Sequence, residues 1–202
     1  MIESAAGQAL VNPGCRQHSC GDVKIPYPFG IGVGCYMNTW FEVSCGRNET
    51  PKLTSVDIEV LYFSLDQSTV AVKRPIIANC SGAITGKSVN LSGSPFMSSL
   101  REELSFRPSK IEYVQDMFTW MISEEYASQL PHTYPDAFRC FQPNISSYPY
   151  SLVFDDPYLD PNGAQLHNSS MPPNGSRQCA CEPGFQGNPY LPFGCKGKLF
   201  FG

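Results

Sequence analysis

The stretch from residue 20 to residue 45, CGDVKIPYPFGIGVGCYMNTWFEVSC, constrains this chain more than any other. It sets Cys20, Cys35 and Cys45 around two prolines and a run of glycines. Proline fixes φ at about −65° and has no amide donor, so Pro26 and Pro28 predict an extended or edge-like segment over 25–29. Gly30, Gly32 and Gly34 let the backbone turn sharply toward Cys35. Apolar alternation resumes at Trp40-Phe-Glu-Val-Ser-Cys45, which predicts a half-buried strand ending on a cysteine. A strand, a turn and a strand bracketed by thiols form a stapled unit.

The other cysteines extend that reading. The nine (Cys15, Cys20, Cys35, Cys45, Cys80, Cys140, Cys179, Cys181 and Cys195) are widely spaced, and the histidines are only His18, His132 and His167. That is a poor fit to tetrahedral zinc and a good one to disulfides in an oxidising compartment. An odd count leaves at least one cysteine without an intramolecular partner: a free thiol, an intermolecular bridge or a sign of missing fold. Six glycosylation sequons, at Asn48, Asn79, Asn90, Asn144, Asn168 and Asn174, agree with secretion. Residues 1–8 lack the apolar core of a signal peptide, and no stretch reaches the ~20 apolar residues of a membrane span. The expectation is a mature ectodomain, or a chain parted from its leader and tail. A net charge of −4 and the absence of a basic run exclude general nucleic-acid binding.

Eighteen prolines and seventeen glycines predict short elements joined by many turns. Val56-Asp-Ile-Glu-Val-Leu-Tyr-Phe63 and Thr69-Val-Ala-Val-Lys73 read as strands of a hairpin around Asp66-Gln-Ser. Ile76-Ile-Ala runs on toward Cys80, and Ser88-Val-Asn-Leu-Ser predicts a further short strand before the Gly93-Ser-Pro turn. Ser99-Leu-Arg-Glu102 and Ser109-Lys-Ile-Glu112 match the capping box of a helix start. Ile111, Val114, Phe118, Met121 and Ile122 fall at helical spacing, predicting an amphipathic helix over 110–128 within a helical insert around 99–128. Its apolar face is read as core or as a docking seam. Residues 131–173, rich in Pro, Ser, Asn, Tyr and Asp, form a loop-rich connector with one strand candidate, Tyr150-Ser-Leu-Val-Phe154. The fold class is a mainly β, disulfide-rich extracellular module.

CGDVKIPYPFGIGVGC followed by FEVSC resembles the extracellular galacturonan-binding module of plant wall-associated receptor kinases. The resemblance covers about residues 12–97 and returns over 179–195. There, Cys179-Ala-Cys-Glu-Pro-Gly-Phe-Gln-Gly resembles the second half of an epidermal-growth-factor-like module, and implies that Cys181 pairs with Cys195. Cys179 then needs an earlier partner, and Cys140 is the nearby candidate. The expected division is a galacturonan-binding-like domain at 12–97, a helical insert and connector at 98–178, and a partial growth-factor-like module at 179–195. By resemblance, the chain binds pectic polysaccharide at the plant cell wall, tethered to the plasma membrane in full-length relatives.

Catalytic readings find little support. Gly30-Ile-Gly-Val-Gly34 leads into a cysteine instead of a helix, so it is a structural turn and not a nucleotide loop. Asp155, Asp156 and Asp160 lack an EF-hand pattern. No Ser/His/Asp constellation and no kinase signature is present, so no enzyme activity and no cofactor are expected. Galacturonan is a polyanion and calls for ammonium or guanidinium groups aimed at carboxylates. The basic candidates are Arg16, Lys24, Arg47, Lys52, Lys73, Arg74 and Lys87, with Tyr27, Phe29, Tyr36 and Trp40 able to stack on sugar faces. Each of these also has a purely structural use, the aromatics in a core and the lysines on a solvated face. Calcium bridging pectin to acidic side chains is a further route. The alternatives are an ectodomain that docks a protein partner through the helix seam and the odd cysteine, and a truncated receptor fragment.

Overall fold

The computed structural model describes residues 12–78, 84–86, 89–99, 103–104, 113–130, 136–142 and 175–197. The stapled unit opens with a hairpin of β1 (Ser19–Cys20) and β2 (Val23–Lys24). Its turn needs Gly21: φ is +56°, and a Cβ there would lie 2.8 Å from the carbonyl oxygen of Glu49. Disulfides join Cys15 to Cys35 and Cys20 to Cys45. The prolines do not run extended as expected. The amide of Phe29 donates to the carbonyl of Pro26, closing a turn in which the Tyr27–Pro28 peptide is cis. Gly30 packs so close to Cys35 that a Cβ would strike its carbonyl. Residues Thr39–Phe41 form a single 3-10 turn capped by the Asn38 side chain, so the strand expected from Trp40 starts later, as β3 (Val43–Cys45).

β3 begins the main sheet, which continues through β4 (Pro51–Leu53), β5 (Ile58–Ser64) and β6 (Thr69–Ala78). The β5–β6 hairpin is the one that alternation and Asp66-Gln-Ser predicted, with β6 running through Pro75. β7 (Ile84–Gly86) pairs with the far end of β6. Residues 89–91 are not a strand; the next is β8 (Phe96–Ser98), after the turn at Gly93. β9 (Glu103–Leu104) pairs with β7, and β10 (Tyr113–Trp120) lies between β6 and β8.

β10 corrects the expected reach of the helix. Phe118, Trp120 and Ile122 alternate, so the run fits period two as well as 3.6, and β-branched and aromatic residues favour a pleated surface. Pairing of Tyr113 through Thr119 with β6 decides between them. After β11 (Ile122–Ser123) the helical insert is the short α1 (Glu124–Gln129), capped by Ser123. The chain completes β11–β13–β12 from β12 (Phe138–Phe141) and β13 (Ser176–Cys181), then the hairpin β14 (Phe185–Gly187) and β15 (Cys195–Gly197). Cys181 pairs with Cys195, as the resemblance implied, and Cys179 with its nearby candidate Cys140, which is its cross-strand neighbour. All eight described cysteines are paired. Cys80 and residues 150–154 lie outside the described residues, as do the capping-box positions 100–102 and 109–112 and the aspartates at 155, 156 and 160.

The core is aromatic. Phe29, delivered by the proline turn, packs its ring 5.1 Å from Phe41, 5.0 Å from Trp120 and 4.6 Å from Phe63. Phe96, Phe118, Val60, Val70 and Val72 complete the layer, each buried side chain contributing about 1.5–3 kcal/mol. Tyr190 joins it from the C-terminal hairpin, so the core draws on all three expected segments. Of the apolar positions read as core or docking seam, Phe118, Met121 and Ile122 are buried and Val114 is half-buried, while Ile111 lies outside the described residues.

Candidate ligand-binding surface

The candidate basic residues divide by their neighbours. Arg16 follows Cys15, Lys24 ends β2 opposite Ser19, and Arg47 lies just beyond Cys45. All three are exposed on the doubly stapled unit, and none has an ionic partner among the described residues. Their charges are therefore open to a polyanion. Tyr36 and Trp40 are half-buried, each with part of a ring against the core. Tyr27 is half-buried too; burial first, and the phenol of Tyr126 second, raise its pKa above the ordinary 10.0.

The sheet residues are engaged. Register sets Glu59 of β5 beside both Lys52 of β4 and Lys73 of β6. Lys73 Nζ lies 2.6 Å from Glu59 Oε1 and 4.8 Å from the centre of the Tyr113 ring. Lys52 Nζ donates to Asp57 at 2.8 Å, and that contact raises the lysine pKa. Arg74 is buried, its Nε 3.4 Å from Asp116 Oδ2 but without hydrogen-bond alignment. Asp116 also accepts from the hydroxyl of Ser98 at 2.6 Å and the amide of Ser99 at 3.2 Å. The Arg74–Asp116 pair is internal and turned away from any surface ligand. Lys87 lies outside the described residues.

Two features escaped the sequence. Tyr62 and Tyr113 are 46% and 41% exposed, and the Gln115 amide donates to the Tyr62 hydroxyl at 3.1 Å. Alternation in β5 would set Tyr62 on the buried face with Ile58 and Val60, and the register shift between Val60 and Tyr62 turns it outward instead. The second is a cleft of about 140 Å³ between the Thr39–Phe41 turn and the β11–α1 junction, lined by Trp40 and Tyr126 among others. Only the fold brings these together, because Tyr126 lay inside the expected amphipathic helix. Among the described residues no group of three or more His, Cys, Asp or Glu could hold a metal ion, and no helix is long and apolar enough to cross a membrane.

Residues 15–74 match the wall-associated receptor kinase galacturonan-binding family. The family read from Cys20 to Cys45 is the family found. The chain is 35% identical over 91 residues to wall-associated receptor kinase-like 10 of Arabidopsis thaliana, covering 39% of this chain and 12% of that protein. It is 40% identical over 93 residues to wall-associated receptor kinase-like 17 of the same plant, covering 41% and 12%. Putative wall-associated receptor kinase-like 13 gives 35% over 100 residues, covering 39% and 13%. The chain thus spans only about an eighth of the length of these relatives, and the match lies in the extracellular binding region, not a kinase domain. No solved structure matches.

Proposed function

We propose that this chain is the extracellular, non-catalytic part of a receptor-kinase-like protein that binds acidic pectic polysaccharide at the plant cell wall. The observation that carries the reading is the set of open cations, Arg16, Lys24 and Arg47, on the stapled unit of a galacturonan-binding family match. The two guanidinium groups can each grip a uronate carboxylate with paired N–H donors, and Lys24 adds a point charge. Tyr36 and Trp40 offer partial ring faces for stacking. Lys52 and Lys73 reach a ligand only by exchanging carboxylate partners, and Arg74 serves the fold. The net charge of −4 makes binding local to the cations, and calcium strengthens it where acidic side chains face uronates.

Secretion with glycans on the sequons belongs to the same reading. Asn48 and Asn90 are exposed, while Asn79, Asn144, Asn168 and Asn174 lie outside the described residues. The test is retention of the purified glycosylated protein on immobilised polygalacturonate, with and without calcium. Retention that declines as salt rises supports the proposal, because screening weakens exposed charge pairs. Passage through both columns at low salt contradicts it.

A further inference from the structure

We propose that the cleft between Trp40 and Tyr126 is a subsite for one uncharged pyranose ring of a cell-wall polysaccharide, distinct from the exposed cations. This rests on the polysaccharide-binding reading above and names a second ligand chemistry within it. Two aromatic side chains lining a small opening, Trp40 and Tyr126, suit the C–H faces of a sugar ring, and polar groups in the same lining fix orientation. Asn38 Oδ1 is held by the amide of Trp40 at 3.0 Å, while the Asn38 Nδ2 donors have no partner among the described residues. Ser123 Oγ accepts from the amide of Tyr126 at 3.3 Å, which leaves its own proton to donate. The cleft's two caps therefore double as preoriented sugar donors.

Charge argues that the ring is uncharged. No lysine or arginine lines the cleft. The helix that supplies Tyr126 begins with Glu124 and Glu125, and only Glu124 has a cation, Arg177 at 2.7 Å. A free uronate finds no compensating base in this lining. A volume of about 140 Å³ equals roughly five waters at ~30 Å³ each, enough for one ring and not for a run of them.

The experiment is calorimetric titration with three probes: a de-esterified oligogalacturonide, its methyl-esterified form and a neutral galacto-oligosaccharide. The variants are Tyr126→Ala, at a ring 40% exposed, and Asn38→Asp, which keeps the acceptor that caps the turn while removing both amide donors. Thermal melts establish that both fold. The expected result is at least tenfold weaker binding of an uncharged probe by each variant, little changed by salt, with the de-esterified oligomer far less affected. A response confined to the methyl-esterified probe identifies an esterified uronate, and one confined to the galacto-oligosaccharide a neutral hexose. Wild-type binding of the de-esterified oligomer alone, or uncharged-probe affinities equal in wild type and variants, overturns the subsite and leaves the wider reading standing. Wild-type failure with all three overturns that reading and the subsite with it.

Discussion

The hydroxyl of Tyr190 accepts the indole N–H of Trp120 at 3.0 Å inside the core, and lies 3.2 Å from the hydroxyl of Ser68. The C-terminal hairpin is thereby bonded to the main sheet. Asn188 adds a second tie, its side-chain amide donating to the carbonyl of Tyr27 at 2.7 Å. Tyr190→Phe keeps the ring and leaves the Trp120 N–H without its acceptor. A buried unsatisfied donor costs about 1–3 kcal/mol, so the melting temperature should fall while the fold is retained. Thermal unfolding followed by tryptophan fluorescence measures this.

The same residue sets a response to alkali. Burial raises the Tyr190 phenol above its ordinary 10.0, against smaller opposing effects of its hydrogen bonds. A group raised in the folded state gives stability that is whole below the unfolded pKa and is lost as pH rises through the folded one. Stability should therefore decline above about pH 10, and Tyr190→Phe should flatten that decline. Denaturant midpoints measured across this range are the check.

The Cys20–Cys45 bond closes a loop with a sequence separation of 25. Restricting the unfolded chain by that much is worth about 3 kcal/mol, so Cys20→Ala with Cys45→Ala should lower stability by that amount. Urea denaturation of the double variant gives the value.

Arg74 separates structure from binding. Removing one partner of a buried ion pair costs about 3–5 kcal/mol, so Arg74→Met should destabilise the protein through the stranded Asp116 carboxylate. At a temperature where that variant is still folded, its retention on polygalacturonate should equal that of wild type. Chemical denaturation and column retention on one preparation test both halves.

The sequence was most legible where local chemistry decides. Alternation in β5 and β6, with Asp66-Gln-Ser between them, specified the hairpin, and the thiols around residues 20–45 specified the stapled unit. β10 was illegible because Phe118 and Ile122 satisfy both periods, and its choice rests on a partner strand that lies far off in sequence, from Tyr113 opposite Pro75 to Thr119 opposite Thr69. The same holds for charge. That Glu59 would stand beside Lys52 and Lys73 follows from register, and register comes from strand pairing. Tyr126 could not be matched with Trp40 because α1 was expected to be part of a long helix, and its short form turns that ring onto the cleft.

The central claim is that exposed, unpaired cations on the stapled unit capture uronate carboxylates. Its most direct test is the triple variant Arg16→Gln, Lys24→Gln, Arg47→Gln, compared with wild type for affinity to a de-esterified oligogalacturonide at low salt. Three charge-assisted contacts at roughly 1 kcal/mol each predict about a hundredfold loss, with the thermal melt unchanged because all three side chains are exposed. An affinity equal to wild type in a folded triple variant would contradict the account.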